Sequence, residues 1–87
     1  MTVTRSRAFL RDFRRLSATM RKTTDKSVEL LAQNLKYSSL RVKKMEPKNL
    51  NIWEARVSRG YRMTFLKEEG KITLLGVGPH NRGLGKK

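Results

Sequence analysis

Residues Trp53–Phe65, with the sequence WEARVSRGYRMTF, decide the fold of this chain. Apolar and polar residues alternate on both sides of Ser58-Arg59-Gly60, which is the pattern of two strands joined by a tight turn. We predict a three-residue loop in which Gly60 is the left-handed residue that such a turn needs. This loop predicts three pairs on the face that packs on the core: Val57–Tyr61, Ala55–Met63 and Trp53–Phe65.

The other face of this hairpin carries paired cations. The same register places Arg56 directly opposite Arg62, and Glu54 opposite Thr64. Like charges at paired positions destabilise a sheet, so stability alone would not select this arrangement. Two guanidinium groups at cross-strand distance can instead bind a phosphate through several hydrogen bonds. We predict an anion-binding face; the alternative is that Glu54 pairs with one arginine and the face is ordinary solvated surface.

The region before the hairpin has helical periodicity. Its apolar residues recur at spacings of four, three and four: Phe9, Phe13, Leu16 and Met20. Ser17 is the expected N-cap that separates a first helix from a second. The second helix is predicted to continue to about Lys36, antiparallel to the first.

Beyond Tyr37 the period changes from 3.6 to 2, which indicates strands. The predicted strands and turn are Leu40–Met45, a turn at residues 46–49, Trp53–Val57, Tyr61–Leu66 and Lys71–Val77. The predicted fold class is therefore α+β, with two N-terminal antiparallel helices packed on a three- to four-stranded antiparallel sheet. We expect a single domain over residues 1–87, with a short mobile tail at about residues 83–87.

Two loop lengths fit the second hairpin, and they put different residues on each face of the last strand. A three-residue loop places Gly76, Gly78 and His80 on the arginine face, as a glycine floor with an imidazole at its rim. A four-residue loop instead turns Ile72 and Leu74 to the core. Both loop lengths are compatible with the sequence.

Net charge indicates the kind of partner. The chain has 21 Lys and Arg against 7 Asp and Glu, a formal charge of +14. Self-repulsion at this density opposes folding, so we expect an anionic partner. No apolar run approaches the roughly 20 residues of a spanning helix, and the first residues lack the apolar core of a signal peptide. Nucleic acid is therefore the expected partner, rather than a membrane surface.

Cysteine and histidine usage limits the chemistry. The chain has no cysteine and one histidine. Without cysteine there is no disulfide, thiolate zinc site or Cys nucleophile, and the composition suits a reducing cytoplasm. The acidic residues are scattered, so we expect no metal and no other cofactor. His80 follows Gly76-Val77-Gly78-Pro79, where its ordinary pKa range would let it serve as a general acid or base near neutral pH; the alternative is a structural or simply exposed histidine.

Taken in order, these segments resemble the RelE/ParE toxin superfamily of prokaryotic toxin–antitoxin systems. The resemblance covers nearly the whole chain and lies in the two N-terminal helices, Leu40–Met45, Trp53–Val57, Tyr61–Phe65 and Gly76–His80. It implies a microbial-RNase-like fold and, for RelE-type members, metal-independent cleavage of mRNA on the ribosome by attack of a 2′-hydroxyl on the adjacent phosphate. It also implies mRNA, the ribosome and a cognate antitoxin as partners.

The resemblance assigns a role to each site residue. The catalytic residues are Arg62, which stabilises the phosphate, Arg56 in its support, His80 for proton transfer, and Lys43. The RNA-binding residues are Arg41, Lys44, Arg59, Arg82 and Glu54. Pairing with Arg56 would weaken Glu54 as a base.

One feature departs from the family, and two other functions fit the same fold. Many RelE-type members have a tyrosine in the C-terminal segment, whereas no aromatic residue follows His80 here. His80 or Lys43 would then carry the acid–base chemistry. A ParE-like inhibitor of DNA gyrase would have the same fold and charge without catalytic residues. The other alternative is a non-catalytic RNA- or ribosome-binding protein.

Overall fold

The computed structural model describes residues 1–45 and 51–79. Its elements, in chain order, are strand β1 (Thr2–Arg5), helix α1 (Arg7–Arg14), helix α2 (Ala18–Gln33), a 3₁₀ turn (Ser38–Leu40), and strands β2 (Lys43–Lys44), β3 (Ile52–Ser58), β4 (Tyr61–Glu68) and β5 (Lys71–Pro79). Within these residues, five strands form one sheet in the order β1-β5-β4-β3-β2. β1 and β5 run parallel, and the other neighbours are antiparallel. The predicted α+β class is confirmed.

Serine caps begin both helices. The Ser6 hydroxyl accepts a hydrogen bond from the Phe9 N–H at 3.1 Å, and the Ser17 hydroxyl accepts one from the Met20 N–H at 3.1 Å. Each cap satisfies a backbone donor that the first helical turn leaves free. The predicted cap at Ser17 is confirmed, and α2 ends at Gln33, slightly before the predicted boundary.

The core lies between the helices and one face of the sheet. Phe9 of α1 and Leu31 of α2 are buried against the strand residues Met63, Phe65 and Leu74. Burial of each such side chain stabilises the fold by about 1.5–3 kcal/mol. In the part of the chain that the structure describes, no helix is long and apolar enough to cross a membrane.

The sheet is larger than predicted because β1 was not expected. Four residues give too short a pattern to show a period, and among them only Val3 packs against the core. Val3 is paired with Ile72 of β5, and the Ser6 N–H donates to the Leu74 carbonyl just after the strand. β1 is therefore a strand because it pairs with β5, which is far from it in the sequence.

The first predicted strand, Leu40–Met45, is largely wrong. Leu40 closes the 3₁₀ turn and is buried, and Arg41 adopts the left-handed conformation with φ 46° and ψ 50°. A left-handed residue interrupts an extended chain, so the strand is reduced to Lys43–Lys44. The turn predicted at residues 46–49 lies outside the described residues.

The register of the β3–β4 hairpin is confirmed except at its turn. Four predicted pairs are present: Trp53–Phe65, Glu54–Thr64, Ala55–Met63 and Arg56–Arg62. Tyr61 is paired with Ser58 and not with Val57, because a bulge lies between Arg56 and Ser58. The loop thus has two residues, and Gly60 does not have the predicted positive φ.

The β4–β5 hairpin has neither of the predicted loop lengths, but its last strand combines the two face patterns that the sequence left open. Its loop is Glu69-Gly70, with Gly70 at φ 72°, and the first half of β5 turns Ile72 and Leu74 to the core. A bulge at Leu75 then changes the faces. An extra residue in one strand reverses the alternation beyond it. Gly76 and Gly78 consequently lie on the arginine face, opposite Thr64 and Arg62.

Candidate functional site

The sheet face that carries Glu54, Arg56 and Arg62, here called the open face, contains a cleft of about 380 Å³ near the β2 edge. The residues that line this open-face cleft are Arg41, Val42, Lys43, Glu54 and Arg62. Three of these side chains are cationic and one is a carboxylate. The cleft therefore has a net positive charge and suits an anion.

Arg62 is held at the end of the β3–β4 hairpin. Its Nη1 donates hydrogen bonds to the Ser58 carbonyl at 3.0 Å and to the Tyr61 carbonyl at 3.1 Å. The other N–H groups of this guanidinium make no hydrogen bond with the described residues. A half-buried guanidinium fixed on one side can offer its remaining donors to a phosphate with little loss of side-chain entropy.

Lys43 and Glu54 form an ion pair across the β2–β3 ladder. They are directly opposite each other, and Lys43 Nζ is 3.5 Å from Glu54 Oε1. The Glu54 side chain is 7% exposed and that of Lys43 is 70% exposed. The alternative in which Glu54 pairs with an arginine is therefore wrong, because Lys43 occupies the cross-strand position. The buried carboxylate holds the lysine ammonium beside the cleft.

Arg56 is a neighbour of the cleft rather than part of its wall. It is paired with Arg62 in the ladder and is half-buried. Within residues 1–45 and 51–79 it makes no side-chain hydrogen bond, and the one ion pair there is Lys43–Glu54. The predicted repulsive pair is thus present without a carboxylate that relieves it.

The glycines of β5 allow α1 to reach the sheet edge. The Asp12 carboxylate of α1 accepts a hydrogen bond from the Val77 N–H at 3.2 Å. A Cβ at Gly76 would lie 3.0 Å from Asp12 Oδ2 and 3.7 Å from Thr64 Oγ1. A side chain at residue 76 would therefore crowd this contact, which covers a backbone donor beyond the end of β1.

Solved structures share this arrangement of helices and strands. A RelE–RelB complex from Pyrococcus horikoshii matches with a TM-score of 0.75 and 16% identity over 94% of this chain and 97% of that chain. The toxin–antitoxin complex RelBE2 from Mycobacterium tuberculosis matches at 0.77 and 16%, over 91% and 90%. A YoeB/ParE toxin from Agrobacterium tumefaciens matches at 0.73 and 10%, over 92% and 99%. The chain has the RelE/ParE toxin fold.

Sequence similarity adds nothing to this assignment. No protein-family model matches the chain, and no curated protein is significantly similar to it. At 10–16% identity the structural match shows the RelE/ParE fold and not the activity.

The RelE/ParE fold brings together some of the predicted site residues and separates others. Arg41, Lys43, Glu54 and Arg62 share the open-face cleft. Lys44 is on the other side of β2, with Nζ 5.8 Å from the Trp53 ring centroid. Arg59 is exposed in the turn between β3 and β4. The two remaining predictions, His80 and Arg82, lie outside the described residues.

Sequence reasoning missed the contact of Asp12 with the last strand. Asp12 is a single acid in an arginine-rich helix, and the sequence contains no sign of its contact with Val77, 65 residues away. A second cleft, beside Tyr37 and Trp53, was also missed. In the described ranges, no three His, Cys, Asp or Glu side chains are grouped in a way that could hold a metal ion.

Proposed function

We propose that this chain is the toxin of a toxin–antitoxin pair and that it cleaves mRNA on the ribosome. The observation that carries the proposal is the position of Arg62. Backbone carbonyls hold one side of its guanidinium, and the side chain lines the cationic open-face cleft. The RelE/ParE fold supports the proposal.

The proposed reaction needs only groups of the RNA and of this chain. The 2′-oxygen of one nucleotide attacks the adjacent phosphorus, and the bond from phosphorus to the 5′-oxygen breaks. The products are a 2′,3′-cyclic phosphate and a 5′-hydroxyl end. One proton leaves the 2′-hydroxyl and one is delivered to the 5′-oxygen. Arg62 and Lys43 would stabilise the charge that develops on the non-bridging oxygens.

Proton transfer is assigned to His80 in this proposal. His80 follows Pro79 in the chain, and Pro79 is paired with Tyr61, next to Arg62. The imidazole is the one side chain type whose ordinary pKa allows both acid and base chemistry near neutral pH. Arg56 would add positive potential from the neighbouring ladder position.

An antitoxin is the proposed protein partner. Two of the matching structures are described as complexes of a toxin with its antitoxin, RelE with RelB and RelBE2. For this chain, an acidic segment that covers the open-face cleft would neutralise Arg41, Lys43 and Arg62 together. We expect such a segment to compete with RNA for the cleft.

A primer-extension assay on programmed ribosomes tests the nuclease. The native chain should produce discrete cuts at the codon in the ribosomal A site. Arg62→Ala should reduce the rate by about 10²–10³-fold, the cost of removing one preorganised donor to the transition state. His80→Ala should reduce it by about 10²–10⁴-fold. Arg11→Ala is the matched control, since Arg11 is exposed in the helix layer on the other side of the sheet, and it should retain cleavage.

Intact message with the native chain, at concentrations that bind ribosomes, would exclude the nuclease. A gyrase supercoiling assay would then separate a ParE-like inhibitor from a non-catalytic RNA-binding protein. Equal loss of cleavage in Arg62→Ala and Arg11→Ala would mean that general charge, and not the cleft, supports activity.

A further inference from the structure

A second cleft of about 470 Å³ lies on the helix side of the β2 edge. Its wall includes Tyr37, which precedes the 3₁₀ turn, and Trp53, which is paired with Phe65 on the core face of the sheet. Arg41 and Val42 belong to the walls of both clefts. The two clefts are thus neighbours around one short segment of chain, with Arg41 between them.

Tyr37 is an aromatic residue in an unusual position. Tyr37 is 39% exposed, and every other aromatic residue that the structure describes is less exposed. The hydroxyl donates to Gln33 Oε1 at 3.2 Å, which anchors the tip of the ring to the end of α2. An anchored, exposed ring can stack on a flat partner with little loss of conformational entropy.

Trp53 is fixed from three sides. Its Nε1–H donates to Asn51 Oδ1 at 3.1 Å, and Asn51 Nδ2 in turn donates to the Lys67 carbonyl at 2.6 Å. Lys67 Nζ lies 4.6 Å from the ring centroid, and Lys44 Nζ lies 5.8 Å from it. The indole therefore forms a rigid wall that is surrounded by positive charge.

The second cleft has cations and no acid. Lys36, Arg41 and Lys67 line it, and none of its wall residues is Asp or Glu. Aromatic rings among cations are the combination that holds single-stranded nucleic acid, because bases stack on the rings and phosphates pair with the cations. The volume is within the range of small-ligand sites and has room for one nucleobase.

We infer that this second cleft is a base-binding subsite for a nucleotide that flanks the phosphate bound in the open-face cleft. The inference rests on the proposed function in that RNA is the ligand. The base stacks on Tyr37 with Trp53 as the wall behind it, and Arg41 binds the phosphate that joins the two subsites. The occupant is single-stranded RNA, because a duplex could not insert a paired base into a cleft of this size.

An abasic scan of a short RNA tests the inference. The probe is a fluorescein-labelled pentanucleotide with 2′-O-methyl riboses, which binds without being cleaved, and each position in turn is replaced by an abasic residue. Binding is followed by anisotropy and by the emission of Trp53, the single tryptophan of the chain. With the native chain, one abasic position should weaken binding by roughly 5- to 100-fold, the effect of losing one base–aromatic stack.

Tyr37 variants identify the subsite. Tyr37→Ala should bind the complete RNA as weakly as the native chain binds the abasic one, and the abasic position should then have no further effect. Tyr37→Phe is the control that keeps the ring and loses only the hydroxyl anchor; it should keep the abasic effect and most of the affinity. Thermal unfolding of Tyr37→Ala should match the native chain, because the residue is exposed.

Three results would overturn the inference: an abasic scan with no sensitive position, native-like binding by Tyr37→Ala, or unchanged Trp53 emission when anisotropy shows that RNA is bound. Cleavage is measured in the separate primer-extension assay. Arg62→Ala should lose cleavage and keep the abasic effect, so failure of the subsite and failure of the proposed nuclease are distinguishable.

Discussion

Lys43 lies directly opposite Glu54 across the β2–β3 ladder, with 3.5 Å between its Nζ and a carboxylate oxygen of a side chain that is 7% exposed. β2 contains only two residues, and this pair adds a side-chain contact to its short ladder with β3. The same lysine is a proposed phosphate ligand. The proposed function would therefore couple stability and RNA binding at this one residue.

Lys43→Met should destabilise the protein by about 1 kcal/mol, because Glu54 would remain nearly buried without its cation. The value is small because Lys43 is mostly exposed and water screens the pair. Lys43→Met combined with Glu54→Gln should recover most of the loss, since no charge remains buried. Urea unfolding of the two single variants and the double variant measures this. Losses that simply add would show that the pair does not interact.

Arg56→Thr should raise stability by a few tenths of a kcal/mol, because it removes the like-charge pair with Arg62. The gain should shrink in high salt, which screens the repulsion. RNA affinity should fall in the same variant. Arg59→Thr is the control, since Arg59 is in the turn and has no arginine opposite it. Urea unfolding at two salt concentrations measures the gain in stability and its salt dependence. A loss of stability in Arg56→Thr would contradict the prediction.

Gly76→Ala should cost about 1–2 kcal/mol, because the new Cβ would lie 3.0 Å from Asp12 Oδ2 and would displace the carboxylate from the Val77 N–H. Gly60→Ala is the matched control. A Cβ there meets nothing within 4 Å, and stability should change by less than about 0.5 kcal/mol. Thermal unfolding measures both. In an Asp12→Ala background, Gly76→Ala should cost clearly less; an unchanged cost would place the strain elsewhere.

Thr24→Val should stabilise the protein by about 1 kcal/mol. The Thr24 hydroxyl is completely buried and has no hydrogen-bond partner among the described residues, so valine removes an unpaired polar group and keeps the shape. Thr23→Val is the control in the same helix, because the Thr23 hydroxyl donates to the Thr19 carbonyl at 3.1 Å. Urea unfolding should show the gain at residue 24 alone; equal effects at both positions would reflect a general preference for valine.

The cross-strand pairs were predictable because the hairpin is long and alternates strictly. Strict alternation fixed the two faces of the hairpin. The predicted three-residue loop gave the correct opposition of Arg56 and Arg62, because the observed two-residue loop and the bulged Val57 together contain the same number of residues. The partner of Glu54 did not follow. It depends on the alignment of β2, and the left-handed Arg41 that sets where β2 begins has no signature in the sequence.

The last strand shows why part of the site could not be predicted. Neither predicted loop length is present, but each predicted the correct faces for one half of β5, since the bulge at Leu75 changes the faces between Leu74 and Gly76. A bulge is selected by contacts on both sides of the strand, here the buried Leu74 and the Asp12–Val77 hydrogen bond. Those contacts join residues that are far apart in the chain, and local patterns do not contain them.

The parallel pairing of β1 with β5 determines when the molecule can be completed during its synthesis. Ser6 and the Leu75 carbonyl that it contacts are 69 residues apart, so β1 is made long before its partner. At ordinary elongation rates the wait lasts several seconds. Gly76 and Gly78, opposite Thr64 and Arg62 on the open face, arrive with the same strand. The outer strand pair and the contact of Asp12 with Val77 therefore form together in one late step, once β5 has been synthesised.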